Sequence, residues 1–134
     1  MQQGFAPKRL LYEESRNRDP LISNLIYACE KEGGRVLPVN RSLLMKVSNK
    51  DNPQTVIGAY AQFTTNFSNI IKEKIRCWVA LDRIRDPGNL GTIIRTIDAV
   101  AADGIILIDN CTDPFSIESV RASMGAIFSL KISY

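Results

Sequence analysis

The sequence predicts an α/β chain built on a parallel βαβ unit, and three observations carry that prediction. Cys77-Trp78-Val79-Ala80-Leu81 and Ile105-Ile106-Leu107-Ile108 are apolar runs of the length of single buried strands. Between them Leu90, Ile93, Ile94, Ile97, Val100 and Ala101 recur at the spacing of one helical face. A turn-rich stretch from Asp82 to Gly91 separates the first run from that face. Strand, tight loop, helix, strand makes a crossover whose strands lie parallel and whose hand is right.

The residues before this unit read as a second α/β piece. Arg9-Leu10-Leu11-Tyr12 is a strand. Asp19-Pro20 starts a helix striped by Leu21, Ile22, Leu25, Ile26 and Cys29 and stopped by Gly33-Gly34. Val36-Leu37-Pro38-Val39 is a short strand whose proline places it at a sheet edge. Asn40 caps a brief helix carrying Leu43, Leu44 and Val47, and Asn52-Pro53 turns into a strand over 55–61. The polar stretch 64–74 divides the chain into a first domain, 1–63, and a second, 75–134. After the central unit, Asp113 is the expected cap of a helix with Pro114 in its first turn and an apolar face of Ile117, Val120, Met124 and Ile127, Met124 serving as core filler. Leu130 to Tyr134 begins a further strand.

Composition excludes several function classes. The chain is 45% hydrophobic and 23% charged, as a globular protein is, and no apolar run reaches membrane-spanning length. Met1 to Phe5 is no signal peptide. Histidine is absent, which removes His-based acid–base catalysis and His metal sites. Cys29, Cys77 and Cys111 are odd in number and lie in or beside apolar segments, so they read as reduced, buried thiols of a cytosolic protein. A net charge of +3 permits an RNA partner without requiring one.

Chemistry is expected where a parallel strand runs out into its helix, here between Asp82 and Gly91. Two helix starts fit: Asp86 as N-cap with Pro87 at the first position, or Asn89 as cap. Arg95 lies four residues after Gly91, and helical side chains tilt toward the N-terminus, so Arg95 reaches back over Gly91, where a glycine leaves room for it or for a ligand. A cation aimed at a helix N-terminus does not help the helix, which suggests that it serves a phosphate or a carboxylate.

The run Leu81-Asp82-Arg83-Ile84-Arg85-Asp86-Pro87-Gly88-Asn89-Leu90-Gly91-Thr92-Ile93-Ile94-Arg95-Thr96 resembles the first signature motif of the SpoU/TrmH family, RNA ribose 2′-O-methyltransferases of the SPOUT superfamily. Ser119-Val120-Arg121-Ala122-Ser123-Met124-Gly125-Ala126-Ile127-Phe128 resembles the family stretch after the second strand, and Asn52-Pro53-Gln54 before a Gly-Ala strand is similar to the end of the family's ribosomal-protein-like RNA-binding domain. The resemblance implies the first half of a SPOUT (α/β-knot) methyltransferase domain preceded by a partial RNA-binding domain, with family positions on both sides lying outside this chain. It implies S-adenosyl-L-methionine as cofactor, held by positions beyond Tyr134, rRNA or tRNA as substrate, a homodimer, a cytoplasmic location, and no metal. It places Arg95 and Asn89 at the reacting hydroxyl, with Asp86, Pro87, Gly88, Gly91 and Thr96 forming the substrate loop. Arg95 is described in the family as a base; a guanidinium that stays protonated fits an electrostatic clamp better. Two other readings are an inactive relative that only binds RNA or dimerises, and an unrelated small domain binding nucleotides at the Asp86–Gly91 turn.

Overall fold

A computed structural model describes residues 5–66 and 77–134. They form two compact units, divided between Ala61 and Gln62. The expected linker 64–74 falls mostly outside the described residues; its first positions pack with the second unit, where the Thr65 N–H donates to the Ile132 carbonyl at 2.7 Å.

In the first unit, β1 (Arg9–Glu13), α1 (Pro20–Lys31) and β2 (Arg35–Val39) make a crossover, followed by α2 (Arg41–Ser48) and β3 (Val56–Ala59). The sheet order is β2-β1-β3, with β1 parallel to β2 and antiparallel to β3. Asp19 caps α1, its Oδ1 accepting the Leu21 N–H at 2.9 Å, and Gly33 reverses the chain after it at a φ of +72° that favours glycine. Asn40 caps α2 as expected, accepting from the Leu43 N–H at 2.9 Å. Leu10, Ile22, Cys29 and Leu44 form a small core. Leu21, Leu43 and Val47 face outward instead of joining it. A three-stranded sheet carrying two short helices covers one stripe of each helix, not the wider face that apolar spacing suggests.

In the second unit, β4 (Trp78–Asp82), α3 (Pro87–Ala99) and β5 (Gly104–Ile108) make the expected unit; α4 (Ile117–Ala122), a single-turn 3-10 segment and β6 (Lys131–Ser133) follow. All three strands are parallel, in the order β4-β5-β6, registered from Trp78↔Gly104 and Gly104↔Lys131. Leu81, Leu90, Ile94, Ile97, Ile105, Leu107, Ile127 and Ile132 fill the core.

Four expectations are corrected here. The helical stripe stops at Ile97: α3 ends at Ala99, Ala101 turns left-handed at φ +54°, and Ala102 is buried while Val100 is 69% exposed. Asp113 does not cap α4. Its Oδ1 accepts the Phe115 N–H at 2.8 Å in a separate turn, and Ser116 caps the helix. The inward face of α4 is Ser119 and Ser123, not Ile117 and Met124; Met124 is 78% exposed. Finally, Cys77 is exposed and Cys111 half-buried, leaving Cys29 as the buried thiol.

Candidate functional site

The loop Arg83–Asp86 leaves the C-terminal end of β4 and opens α3. Arg83 adopts a left-handed φ of +55°. That turn lets its guanidinium fold back on Asp82, with Nη2 donating to Oδ2 at 2.9 Å and Nε to Oδ1 at 3.2 Å. Of the two possible caps, the helix uses Asp86: its Oδ1 accepts the Asn89 N–H at 2.6 Å, with Pro87 at the first helical position. The Asp86 carboxylate thus satisfies a backbone donor that would otherwise face solvent, and Pro87 supplies a φ already suited to the helix.

Using Asp86 as the cap frees the Asn89 side chain. It is exposed at the helix start, and among the described residues its amide has no hydrogen-bond partner. Thr92 and Thr96 lie on the same outward face, but their hydroxyls donate back to the Gly88 and Thr92 carbonyls at 2.9 and 3.1 Å. Arg95 is exposed and makes no ion pair or hydrogen bond among the described residues. Arg85, in the loop, is exposed in the same way. Arg85 in the loop, Asn89 in the first turn of α3 and Arg95 further along it are therefore presented to solvent, while the carboxylates Asp82 and Asp86 are engaged.

Gly91 has a different part from the one expected. It is buried, and a Cβ there would overlap Ala122 Cβ and come within 2.8 Å of the Ser123 nitrogen. The room left by the glycine is filled by α4, so neither Arg95 nor a ligand enters it. Arg95 lies one turn further on and about 40° around the helix, which puts it at the margin of the α3–α4 contact. The small inward residues of α4 permit that contact: Ser119 Oγ donates to the Asp113 carbonyl at 3.0 Å and Ser123 Oγ to the Val120 carbonyl at 2.7 Å, so burial leaves neither hydroxyl unsatisfied. Arg121, adjacent to Ala122, remains exposed. Sequence reasoning attached no chemistry to Ser119 or Ser123. The available signal was their spacing of four, which puts both on one face of a helix.

In the first unit, the basic residues Lys8, Arg9, Arg16, Arg18, Lys31, Arg35, Arg41, Lys46 and Lys50 are all exposed. Arg41 is tied to its own fold, donating to Asn52 Oδ1 at 2.7 Å with Glu13 at 3.9 Å. Lys46 and Lys50 instead line an open depression of about 750 Å³ with Met45, Asn49, Asp51 and Asn52. Among the described residues no helix is long and apolar enough to cross a membrane.

Residues 76–134 match the SpoU rRNA Methylase family. Among solved structures, an AdoMet-bound rRNA methyltransferase from Sinorhizobium meliloti is similar with a TM-score of 0.87 and 42% identity, covering 98% of this chain and 48% of its own. The SpoU methyltransferase AviRb from Streptomyces viridochromogenes, in complex with AdoMet, is similar with a TM-score of 0.79 and 27% identity, over 98% and 47% of the two chains. A 23S rRNA (uridine(2479)-2′-O)-methyltransferase of Streptomyces viridochromogenes is 30% identical over 97% of this chain and 45% of its own length. The chain thus spans about half the length of the relatives it matches.

Proposed function

Because this chain belongs to the SpoU rRNA methylase family through residues 76–134, we propose that it carries the substrate-facing helix of an enzyme that methylates a ribose 2′-hydroxyl in ribosomal RNA. The observation that carries the reading is that Asn89, in the first turn of α3 beside the C-terminal end of a parallel sheet, and Arg95, further along the same helix, are both exposed. S-adenosylmethionine, when bound, supplies the methyl group from its sulfonium. The residues around Asn89 form an open polar face, which fits a polynucleotide backbone, and the cofactor's own contacts are not assigned to them.

Methyl transfer to an alcohol needs the hydroxyl in line with the donor and its proton removed. Arg95 keeps its charge at any ordinary pH. It therefore acts as a clamp on the neighbouring phosphate and on the oxygen as negative charge grows there, while the proton leaves to phosphate or water. The Asn89 amide, which offers both a donor and an acceptor, holds the ribose. Asp86 and Pro87 fix the helix start, and Gly91 holds α3 against α4 so that Arg95 projects from a rigid element. The first unit contributes phosphate contacts, with Lys46 and Lys50 beside their depression as the best-placed pair. A homodimer and a cytoplasmic location belong to the same reading.

The test is transfer of labelled methyl groups to ribosomal RNA. Arg95→Ala is expected to lower kcat by about 10²-fold or more, as loss of a preorganised charge-stabilising group does, with Arg95→Lys recovering part of it. Transfer that is indifferent to Arg95→Ala would refute the role. RNA retention with no transfer at all would replace the proposal with a binding role.

A further inference from the structure

The loop that opens α3 is held from its far side by the segment that leaves β5. Asp109 turns left-handed at φ +56° directly after β5, as Arg83 does after β4. The two turns face each other across neighbouring parallel strands, with Arg83 Nε 3.9 Å from Asp109 Oδ2 and the Arg83 N–H donating to the Ile108 carbonyl at 3.2 Å. Two residues later the chain grips Ile84 at both of its backbone groups. The Thr112 N–H donates to the Ile84 carbonyl at 2.7 Å. The Ile84 N–H donates to Cys111 Sγ at 3.4 Å. The thiol itself lies 3.3 Å from both the Leu81 and the Ile108 carbonyl oxygens, one on each strand.

We infer that Cys111 is a positioning residue: with Thr112 it clamps Ile84 and so sets where Arg85, Asp86 and the head of α3 stand. A thiol at this place accepts one N–H and donates its single proton to either strand end, so one side chain joins β4, β5 and the loop. Besides these bonds, the loop is fixed by the Ile84 side chain, which packs against the core of the second unit. Its own side chains Arg85 and Asp86 point to solvent or to the helix cap, and the apolar Ile84 is only half-buried. What the clamp is for rests on the methyl-transfer reading; the clamp itself does not.

Site-resolved amide exchange of the full chain tests it without RNA or S-adenosylmethionine, so failure of the clamp and failure of the proposed function are told apart. Cys111→Ala removes the acceptor of the Ile84 N–H. The Ile84 amide should then exchange at least tenfold faster, with Arg85 and Asn89 loosened as well, while amides of Ile105 and Ile106 within β5 keep their protection. Cys111→Ser, whose hydroxyl still accepts and donates, should recover most of the protection at Ile84. Unchanged exchange at Ile84 in Cys111→Ala, equal acceleration throughout β4 and β5, or a serine variant no better protected than the alanine one would each overturn the inference.

Discussion

The two parallel crossovers of this chain begin with the same pair of residues and end with different helices. Asp19-Pro20 opens α1 and Asp86-Pro87 opens α3, and in both the aspartate accepts a backbone N–H of the first turn. From there they diverge. α1 buries Ile22 and Cys29 and half-buries Leu25, Ile26 and Ala28, and the rest of its surface faces outward. α3 buries Leu90, Gly91, Ile94 and Ile97 because it is covered on one side by the sheet and on another by α4. A helix held on two sides cannot roll or slide, so side chains on its open side keep a fixed direction. That is the condition a charge-stabilising group needs, and it is where Asn89 and Arg95 lie. The shared start signal specifies that a helix begins; the second contact specifies whether it can serve as a platform.

The contact at Gly91 is the most direct place to break this contrast. Gly91→Ala drives a methyl into Ala122 and the Ser123 backbone and should cost the second unit about 2–3 kcal/mol, within the range for overpacking, despite the better helix propensity of alanine. Gly88→Ala, one turn earlier on the exposed side of the same helix, meets only the Asp86 Oδ1 at 3.1 Å, a side-chain atom that can give, and should cost about 1 kcal/mol at most, the value of the cap it crowds. Urea unfolding of the two variants separates them, and equal midpoints would show that α4 yields to the added methyl.

The two caps offer a finer comparison. Asp19→Ala and Asp86→Ala should each lose about 1 kcal/mol, the usual value of an N-cap side chain. Because one cap is in each unit, the losses should fall in separate unfolding steps. A much larger loss at Asp86 would mean that its carboxylate holds more of the loop than the Asn89 N–H.

The smallest effect is one of pH, in the first unit. Burial, with Glu30 nearby, pushes the Cys29 thiol above its ordinary range. Burial, and then Cys29, does the same to the Tyr60 hydroxyl. Each fold therefore favours the protonated group. Its contribution is complete below the ordinary thiol value of about 8.5 and is lost as the pH rises from there through the raised folded value. Thermal midpoints of the first unit should decline across alkaline pH, with a shallower slope in Cys29→Ala. A slope unchanged by that substitution would assign the decline to other groups.

Several features were legible because they depend on near neighbours in the chain. Asp19 and Asn40 cap helices through bonds spanning two or three residues, Asp86 was one of two caps the sequence allowed, and the apolar runs at β4 and β5 pair in parallel as the intervening helix requires. The misread positions depend on contacts between residues far apart. Val100 keeps the helical spacing, yet the chain has already turned left-handed by Ala101. Met124 looks like core by composition, yet it follows α4 in a left-handed turn and is exposed, while Ser119 and Ser123 face inward. Only small side chains let α4 approach Gly91.

Sequence alone was enough to establish the βαβ order, the caps Asp19 and Asn40 of the first unit, and a motif from Leu81 to Thr96 that lies within the residues matching the SpoU rRNA Methylase family. Caps, turns and strand runs are local, and a motif is written in order along the chain. Tertiary structure decided that Gly91 is spent on helix packing and that Cys111 and Thr112 hold Ile84 from across the sheet. These outcomes join residues some thirty positions apart, and spacing within one segment carries no information about which distant backbone will fill a given space.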